Sequence, residues 1–305
     1  MNWLEISVQA DNEAAEAVSE VFNRYNSGAG GGAVIETTGF GPVGEADATS
    51  VTVRTYLPDD PTGRLTIERI QEALWYLSRL YPIPEPVVRS IPEENWANAW
   101  KRHYQPFRVG RHLLIVPSWQ SVQPERGDVV ITLDPGMAFG TGLHPTTRLS
   151  LAALERYLQV GDRVLDVGTG SGILAIAAAK LGARQVLGTD TDPVAVAVAR
   201  ENAAYNGVGN TVQVLEGSLP PEPTSSESGD DQRWEVIVVN ILAHVIVALL
   251  REGLDKRLAA SGRLILSGII SPRLAEVTDE LTVHQLQVLE QSSQGDWVTL
   301  VATTR

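Results

Sequence analysis

Cysteine is absent from this chain, and histidine is scarce. Without cysteine there can be neither disulfide bonds nor thiolate metal ligands. The five histidines are scattered among 305 residues, and none has a ligand spacing such as His-Glu-x-x-His. We therefore predict that the protein holds no metal ion.

Long hydrophobic runs are also missing. The most apolar segment, residues 236–250, is interrupted by Asn240 and His244 and is too short to cross a bilayer. The first residues, Asn-Trp-Leu-Glu at 2–5, lack the basic flank and apolar core of a signal peptide. The sequence therefore predicts a soluble, cytoplasmic protein without a membrane partner.

Positive charge is in the minority. The chain has 24 Lys and Arg against 37 Asp and Glu, a formal net charge of -13. Binding to nucleic-acid phosphates needs clustered Lys and Arg, because the release of counterions drives it. We therefore expect no direct recognition of nucleic acid. The acidic balance suits a basic protein partner, although solubility alone can also account for it.

The N-terminal third has the pattern of a small α+β domain. Strand-like segments at 3–8, 33–37, 50–57 and 87–91 alternate with two amphipathic helices, in the order β-α-β-β-α-β of a ferredoxin-like domain. We assign residues 1–91 to this domain, 92–103 to a linker helix and 104–305 to a second domain with a β-rich lead-in at 104–134. The second helix is predicted to bury the apolar residues Leu65, Ile70, Leu74, Leu77 and Leu80.

The second domain is organised around residues 163–192. A β-branched strand, 164–167, runs into the alternate glycines 168, 170 and 172, and an Ala-rich helix follows. The next strand ends at Asp190. This βαβ unit predicts a parallel sheet with a ligand site at the strand ends.

Further strands and helices complete the domain. The pair Asp192-Pro193 predicts the start of a helix that stops at Asn206-Gly207, and the segment after Asn240 predicts a helix to about Leu258. Seven strands in all predict a doubly wound Rossmann-like sheet whose last two strands are antiparallel. The later strands are expected at 212–215, 235–239, 263–266, 286–289 and 297–302.

The glycine turn suits two cofactors. Asp190 can accept hydrogen bonds from both ribose hydroxyls, and NAD and S-adenosylmethionine share that ribose. The spacing of Gly170, Gly172 and Ala175 matches the dinucleotide fingerprint G-x-G-x-x-A. Asp166 favours S-adenosylmethionine, because a carboxylate before the first glycine would repel a pyrophosphate but attract the ammonium of a methionine moiety. A turn-forming role for Asp166 and an NAD-dependent oxidoreductase remain alternatives.

Three segments carry a family resemblance. Residues 166–172, Asp-Val-Gly-Thr-Gly-Ser-Gly, resemble the first motif of class I S-adenosylmethionine-dependent methyltransferases. The loop Pro-Gly-Met-Ala-Phe-Gly-Thr-Gly-Leu-His-Pro-Thr-Thr at 135–147 and Val-Asn-Ile-Leu at 239–242 are similar to signatures of the bacterial methyltransferases of large-subunit ribosomal protein L11. The resemblance spans nearly the whole chain. It implies that Thr147, Gly168, Asp190 and Asn240 contact S-adenosylmethionine.

The resemblance also implies the acceptors, which are lysine side chains and the N-terminal amine of ribosomal protein L11. An attacking amine must be neutral, which costs about 4.6 kcal/mol for an ordinary lysine at pH 7. The sulfonium charge and desolvation lower that lysine's pKa, so alignment of the reactants can suffice without a dedicated base. We predict Asn240 as the catalytic residue that holds the amine or the cofactor, with a helix cap as its alternative role.

Further cofactor contacts are predicted at Asp166, at Gly170 and at Phe139, which can cover the adenine or pack elsewhere. The ferredoxin-like domain is expected to recognise the substrate. Alternative functions are methylation of another protein lysine or of RNA, and a non-catalytic role in ribosome assembly. The sequence Ile-Leu-Ala after Asn240 replaces the Pro-Pro-Tyr of glutamine-modifying methyltransferases, which argues against an amide acceptor.

Overall fold

A computed structural model describes residues 2–25, 34–37, 50–79, 81, 83–92, 105–133, 144–222 and 233–304. The chain divides into two compact units, Met1–Tyr104 and Gln105–Arg305. Residues 93–103 of the predicted linker helix and the loop segment 134–143, which contains Phe139, lie outside the described residues. No helix in the described part of the chain is long and apolar enough to span a membrane.

The first unit contains a four-stranded antiparallel sheet and two helices. Its elements are β1 (Asn2–Asp11), α1 (Asn12–Tyr25), β2 (Val34–Thr37), β3 (Ser50–Pro58), α2 (Pro61–Leu77) and β4 (Val87–Pro92). The sheet order is β2-β3-β1-β4. Alternate residues of β1, from Leu4 to Ala10, pack with α1 and α2 in one core because a strand presents every second side chain to the same face.

Helix α2 begins at Pro61, after Asp60 accepts a 2.7 Å hydrogen bond from the Gly63 amide. Its buried stripe contains Ile67, Ile70 and Leu74. The prediction that Leu65 faces the core is wrong, since Leu65 is 48% exposed. The stripe runs through Ile67 instead, which leaves Leu65 on another side of the helix.

The second unit contains ten strands and five α-helices among its described residues. They are β5 (Phe107–Val109), β6 (Leu113–Pro117), β7 (Val129–Leu133), α3 (Pro145–Tyr157), β8 (Arg163–Val167), α4 (Ile173–Lys180), β9 (Gln185–Asp190), α5 (Pro193–Tyr205), β10 (Val212–Glu216), β11 (Trp234–Asn240), α6 (Ala243–Arg251), β12 (Leu258–Ile270), α7 (Leu274–Val283), β13 (Leu286–Gln294) and β14 (Trp297–Thr304).

The main sheet confirms the predicted seven-stranded arrangement. Its order is β10-β9-β8-β11-β12-β14-β13. The first five strands run parallel, and β14 pairs antiparallel with both β12 and β13. The order changes direction at β8, so the carboxyl ends of β8, β9 and β11 are neighbours, and a crevice for a ligand is expected at this position.

Helices cover both faces of the main sheet. Val164 and Val238 pack with α3, α4 and α5, whereas their neighbours Leu165 and Ile237 pack with α6 and α7. Consecutive strand residues point to opposite faces, and both faces are buried, which explains the continuous apolar runs of β8 and β11. A doubly wound sheet is the result.

Two predicted boundaries in the second unit are wrong, and one short strand was missed. The helix after Asn240 ends at Arg251, and residues 255–257 form a separate 3-10 turn. Gly253 lies between them with φ +83°, a conformation that ends a helix. Strand β12 begins at Leu258 and is 13 residues long, much longer than the predicted 263–266. The short strand β5 was not predicted.

The strands β5, β6 and β7 form a small separate sheet. Leu113, Ile115 and Ile131 join its apolar side to the core beneath α3 and α4. The backbone of Thr132 in β7 also makes two hydrogen bonds with the side-chain amide of Asn206, which follows α5. The strand that leads into residues 134–143 is therefore attached directly to the main fold.

Candidate cofactor site

The strand order brings most of the predicted site residues together. Asp166 lies in β8, and Asp190 and Asn240 are the last residues of β9 and β11, the strands on either side of β8. Gly168 and Gly170 form the turn after β8. Parallel strands place their carboxyl ends at one edge of the sheet, so these residues line the same crevice mouth.

The turn after β8 requires glycine at position 168. Gly168 has φ +73°, in the left-handed region that favours glycine. Its amide donates a 2.8 Å hydrogen bond to the Thr189 carbonyl on β9. A Cβ at this position would lie 2.7 Å from Cγ2 of Ile241. The turn, β9 and the segment after β11 are therefore in close contact.

Asp190 is fixed by two backbone amides. Its Oδ2 accepts a 2.9 Å hydrogen bond from the Gly170 amide, and Oδ1 accepts a 3.0 Å bond from the Asp192 amide. Each carboxylate oxygen can accept a second hydrogen bond. The half-buried carboxylate is thus held in place with acceptor capacity for a ribose diol.

Asp166 lies beneath the turn and is fully buried. Its Oδ2 accepts hydrogen bonds from the Thr169 hydroxyl at 2.7 Å and the Ala175 amide at 3.1 Å, whereas its buried Oδ1 has no hydrogen-bond partner among the described residues. Burial, with a smaller contribution from the Asp190 charge, raises the pKa of Asp166 to about 7. These contacts give Asp166 a turn-forming role, and its contact with an ammonium stays a prediction.

Thr147 and Asn240 meet across two elements. Thr147 is buried in the first turn of α3. Its Oγ1 accepts a hydrogen bond from Nδ2 of Asn240, with 3.4 Å between the two atoms. This distance is at the long limit for a hydrogen bond. The N-cap of α6 is Leu242, so the helix-capping alternative for Asn240 is wrong.

His144 fixes the start of α3. Its Nδ1 lies 2.7 Å from the Thr146 hydroxyl, and its ring meets Trp297 edge to face at 4.8 Å between centroids. Burial lowers the pKa of His144 to about 4, so the ring is neutral at physiological pH. The imidazole caps the helix that carries Thr147.

The sequence analysis missed two groups that support this site. Asn202 donates a 2.8 Å hydrogen bond to the Ser171 carbonyl in the glycine turn. Ser267 lies opposite Asn240 on β12 and bonds to the Thr146 carbonyl. Neither belongs to a recognisable motif, and only the strand order brings Ser267 near Asn240.

Comparison with known proteins identifies similar chains. A family model described as ribosomal protein L11 methyltransferase (PrmA) matches residues 2–305. The ribosomal protein L11 methyltransferase of Chloroflexus aurantiacus is 47% identical, over 98% of this chain and 97% of the relative. That of Herpetosiphon aurantiacus is 43% identical, over 98% of each. The crystal structure of ribosomal protein L11 methylase from Lactobacillus delbrueckii subsp. bulgaricus has 37% identity and a TM-score of 0.58, covering 66% of this chain and 100% of that one.

Proposed function

The chain belongs to the ribosomal protein L11 methyltransferase family, and on this basis we propose that it methylates lysine side-chain and N-terminal amines of ribosomal protein L11. As a family member it is an S-adenosylmethionine-dependent protein methyltransferase. The structural observation that best supports the proposal is the Asp190 carboxylate, fixed by the Gly170 amide at the ends of adjacent parallel strands. It presents acceptors for a ribose beside a glycine turn.

The residues present fit S-adenosylmethionine, which supplies a methyl group activated by a sulfonium. Asp190 would accept the ribose hydroxyls, and Gly168 and Gly170 would allow the ligand to approach the backbone. The Oδ1 of Asp166, which has no partner in the part of the chain that the structure describes, gives the turn an acceptor suited to the methionine ammonium. Thr147 and Phe139 complete the proposed contacts, with Phe139 over the adenine.

Asn240 is proposed both to contact the cofactor and to act as the catalytic residue. Its Nδ2 is directed towards Thr147, which orients the amide. In this orientation, Oδ1 would accept a hydrogen from the neutral amine of the substrate and direct the nitrogen lone pair towards the methyl group. Asn240 would thus contribute by alignment rather than by removing a proton.

The first unit is proposed to recognise the substrate. Its element order and its sheet order support a ferredoxin-like domain over residues 1–91, followed by a linker at 92–103 and the methyltransferase domain at 104–305. The net charge of -13 favours association with a basic ribosomal protein. A ribosomal substrate in turn supports a cytoplasmic location.

The decisive experiment is mass spectrometry of purified ribosomal protein L11 after incubation with the protein and labelled S-adenosylmethionine. We expect label on lysine and N-terminal amines. Asn240→Ala should lower kcat roughly tenfold or more, because alignment of the amine is lost. Asn210→Ala, at an exposed position, is the matched control and should retain wild-type kcat.

Parallel incubations with other ribosomal proteins and with ribosomal RNA separate the alternatives. Label confined to RNA or to another protein would contradict the proposed substrate. A wild-type kcat in Asn240→Ala would contradict only the catalytic role proposed for Asn240, and not the proposed substrate.

A further inference from the structure

A β-bulge interrupts β12 next to Asn240. Leu266 pairs with Leu300 and Ile269 with Val298, so Ser267 and Gly268 together face the single residue Thr299 on β14. On its other side, β12 places Ser267 opposite Asn240. Bulges at such positions redirect a side chain without ending the strand. Here the redirected group is a fully buried hydroxyl.

The Ser267 hydroxyl connects β14 to helix α3. Its Oγ lies 3.1 Å from the Thr146 carbonyl oxygen and 2.6 Å from the Thr299 hydroxyl. A carbonyl can only accept, so the single Ser267 hydrogen is donated to Thr146 and Thr299 must donate to Ser267. Thr146 directly precedes Thr147. The three groups form one directed chain that ends at the first turn of α3.

The same bulge also holds the segment after Asn240. The Ser267 carbonyl accepts a 3.2 Å hydrogen bond from the Ile241 amide. Gly268 has φ +82°, and a Cβ there would collide with the Ile241 carbonyl oxygen. Ile241 can therefore lie against β12 only because residue 268 is glycine.

We propose that Ser267, supported by Thr299, is a positioning residue that sets the spacing of Thr147 and Asn240 in the cofactor site. Its hydroxyl holds the element that carries Thr147, and its carbonyl holds the residue after Asn240. The direct contact between the two site residues spans 3.4 Å and is too long to fix that spacing by itself. This inference rests on the proposed roles of Thr147 and Asn240.

The chain provides a matched control for the test. Ser150 is also fully buried, and its hydroxyl donates to the same Thr146 carbonyl at 2.8 Å, but from within α3. Ser150→Ala and Ser267→Ala thus remove the same kind of bond from the same acceptor. Only Ser267→Ala removes a hydrogen bond that joins α3 to β12.

We would measure the affinity for S-adenosylhomocysteine by calorimetry, together with kcat and the KM for ribosomal protein L11. Ser267→Ala should weaken that affinity and lower kcat by about tenfold each, the effect of one buried hydrogen bond, and leave the KM unchanged. Thr299→Val, which keeps the side-chain shape, should show a smaller change in the same direction. Ser150→Ala should stay within about twofold of wild type because the link to β12 remains.

Amide hydrogen exchange of the cofactor-free protein provides a second measurement. Peptides covering residues 144–157 should exchange faster in Ser267→Ala than in Ser150→Ala. Equal affinities and equal exchange in the two variants would overturn the positioning role. If the wild type methylates no L11 but Ser267→Ala still binds S-adenosylhomocysteine less tightly than Ser150→Ala, the positioning role stands and the proposed acceptor is overturned.

Discussion

Asp166 illustrates a conflict between burial and charge at a single residue. Burial raises the pKa of its carboxyl group to about 7, from the ordinary 3.8 that applies in the unfolded chain. Between these values the folded chain binds a proton that the unfolded chain has lost. Between these pH values the Asp166 carboxyl group therefore releases its proton on unfolding, and its contribution to stability decreases as the pH rises from about 4 to 7 and then levels off.

Replacing this carboxyl group with a neutral amide should remove that pH dependence. We expect wild-type protein without cofactor to lose on the order of a few kcal/mol of unfolding free energy between pH 5 and pH 8 through Asp166, and Asp166→Asn to lack this loss. Urea unfolding at the two pH values, in both proteins, measures the difference. The other titratable groups are the same in both proteins, so their contributions to the pH dependence cancel when the two proteins are compared.

Asp279→Asn, an exposed position on α7, is the matched control and should follow the wild type. The same pH dependence in wild type and Asp166→Asn would show that the buried carboxyl is ionised throughout, contrary to its raised pKa.

Among the elements, helix α5 joins two parts of the site. Asn202 and Asn206 are one helical turn apart, the first within α5 and the second at its C-cap. The Asn202 amide bonds to the glycine turn, whereas the Asn206 amide bonds to the backbone of Thr132. Since β7 leads into residues 134–143, one helix holds both the turn and the strand before the predicted cofactor loop.

Removing the Asn206 amide should loosen β7. Asn206→Ala leaves the partly buried amide and carbonyl of Thr132 without this partner, which should cost about 1–3 kcal/mol of unfolding free energy. Urea unfolding measures the loss, and hydrogen exchange in residues 129–133 should accelerate. Asn210→Ala, on the surface nearby, should change stability by less than about 0.5 kcal/mol. Equal stabilities of the two variants would argue against an anchoring role for Asn206.

Local chemistry explains which elements could be predicted from the sequence. The predicted start of α5 is confirmed. The Asp192 side chain accepts a hydrogen bond from the Val194 amide, and Pro193 favours the first helical turn. The turn after β8 was evident from its glycines. The early end of α6 had a usable signal in Gly253 that the prediction overlooked.

Long-range contacts explain what the sequence could not reveal. Asn206 resembles an ordinary helix stop, yet its side chain bonds to a strand 74 residues away. Ser267 lies 121 residues from Thr146 and carries no local pattern. Such partners depend on strand order and on a bulge, and neither is encoded in neighbouring residues.

At the scale of the whole molecule, the two units have separate cores. Among the described residues, the core of the first unit, which includes Phe22, Ile70 and Leu74, contains only residues of that unit. Both faces of the seven-stranded sheet are buried by helices of the second unit. A unit with a complete core can fold independently, so the proposed division of labour can be tested by separating the units.

A protein consisting of residues 105–305 should fold and bind S-adenosylhomocysteine within about threefold of the full chain's affinity, because every described site residue belongs to that unit. Methylation of ribosomal protein L11 should be lost, since the proposed recognition domain is absent. Calorimetry and mass spectrometry measure the two properties. The full chain carrying Asn240→Ala is the opposite control, which should keep its KM for L11 while kcat decreases. Methylation of L11 at the full-length rate by residues 105–305 would show that recognition resides in the catalytic unit, because no other part of the chain would then be available to select the substrate.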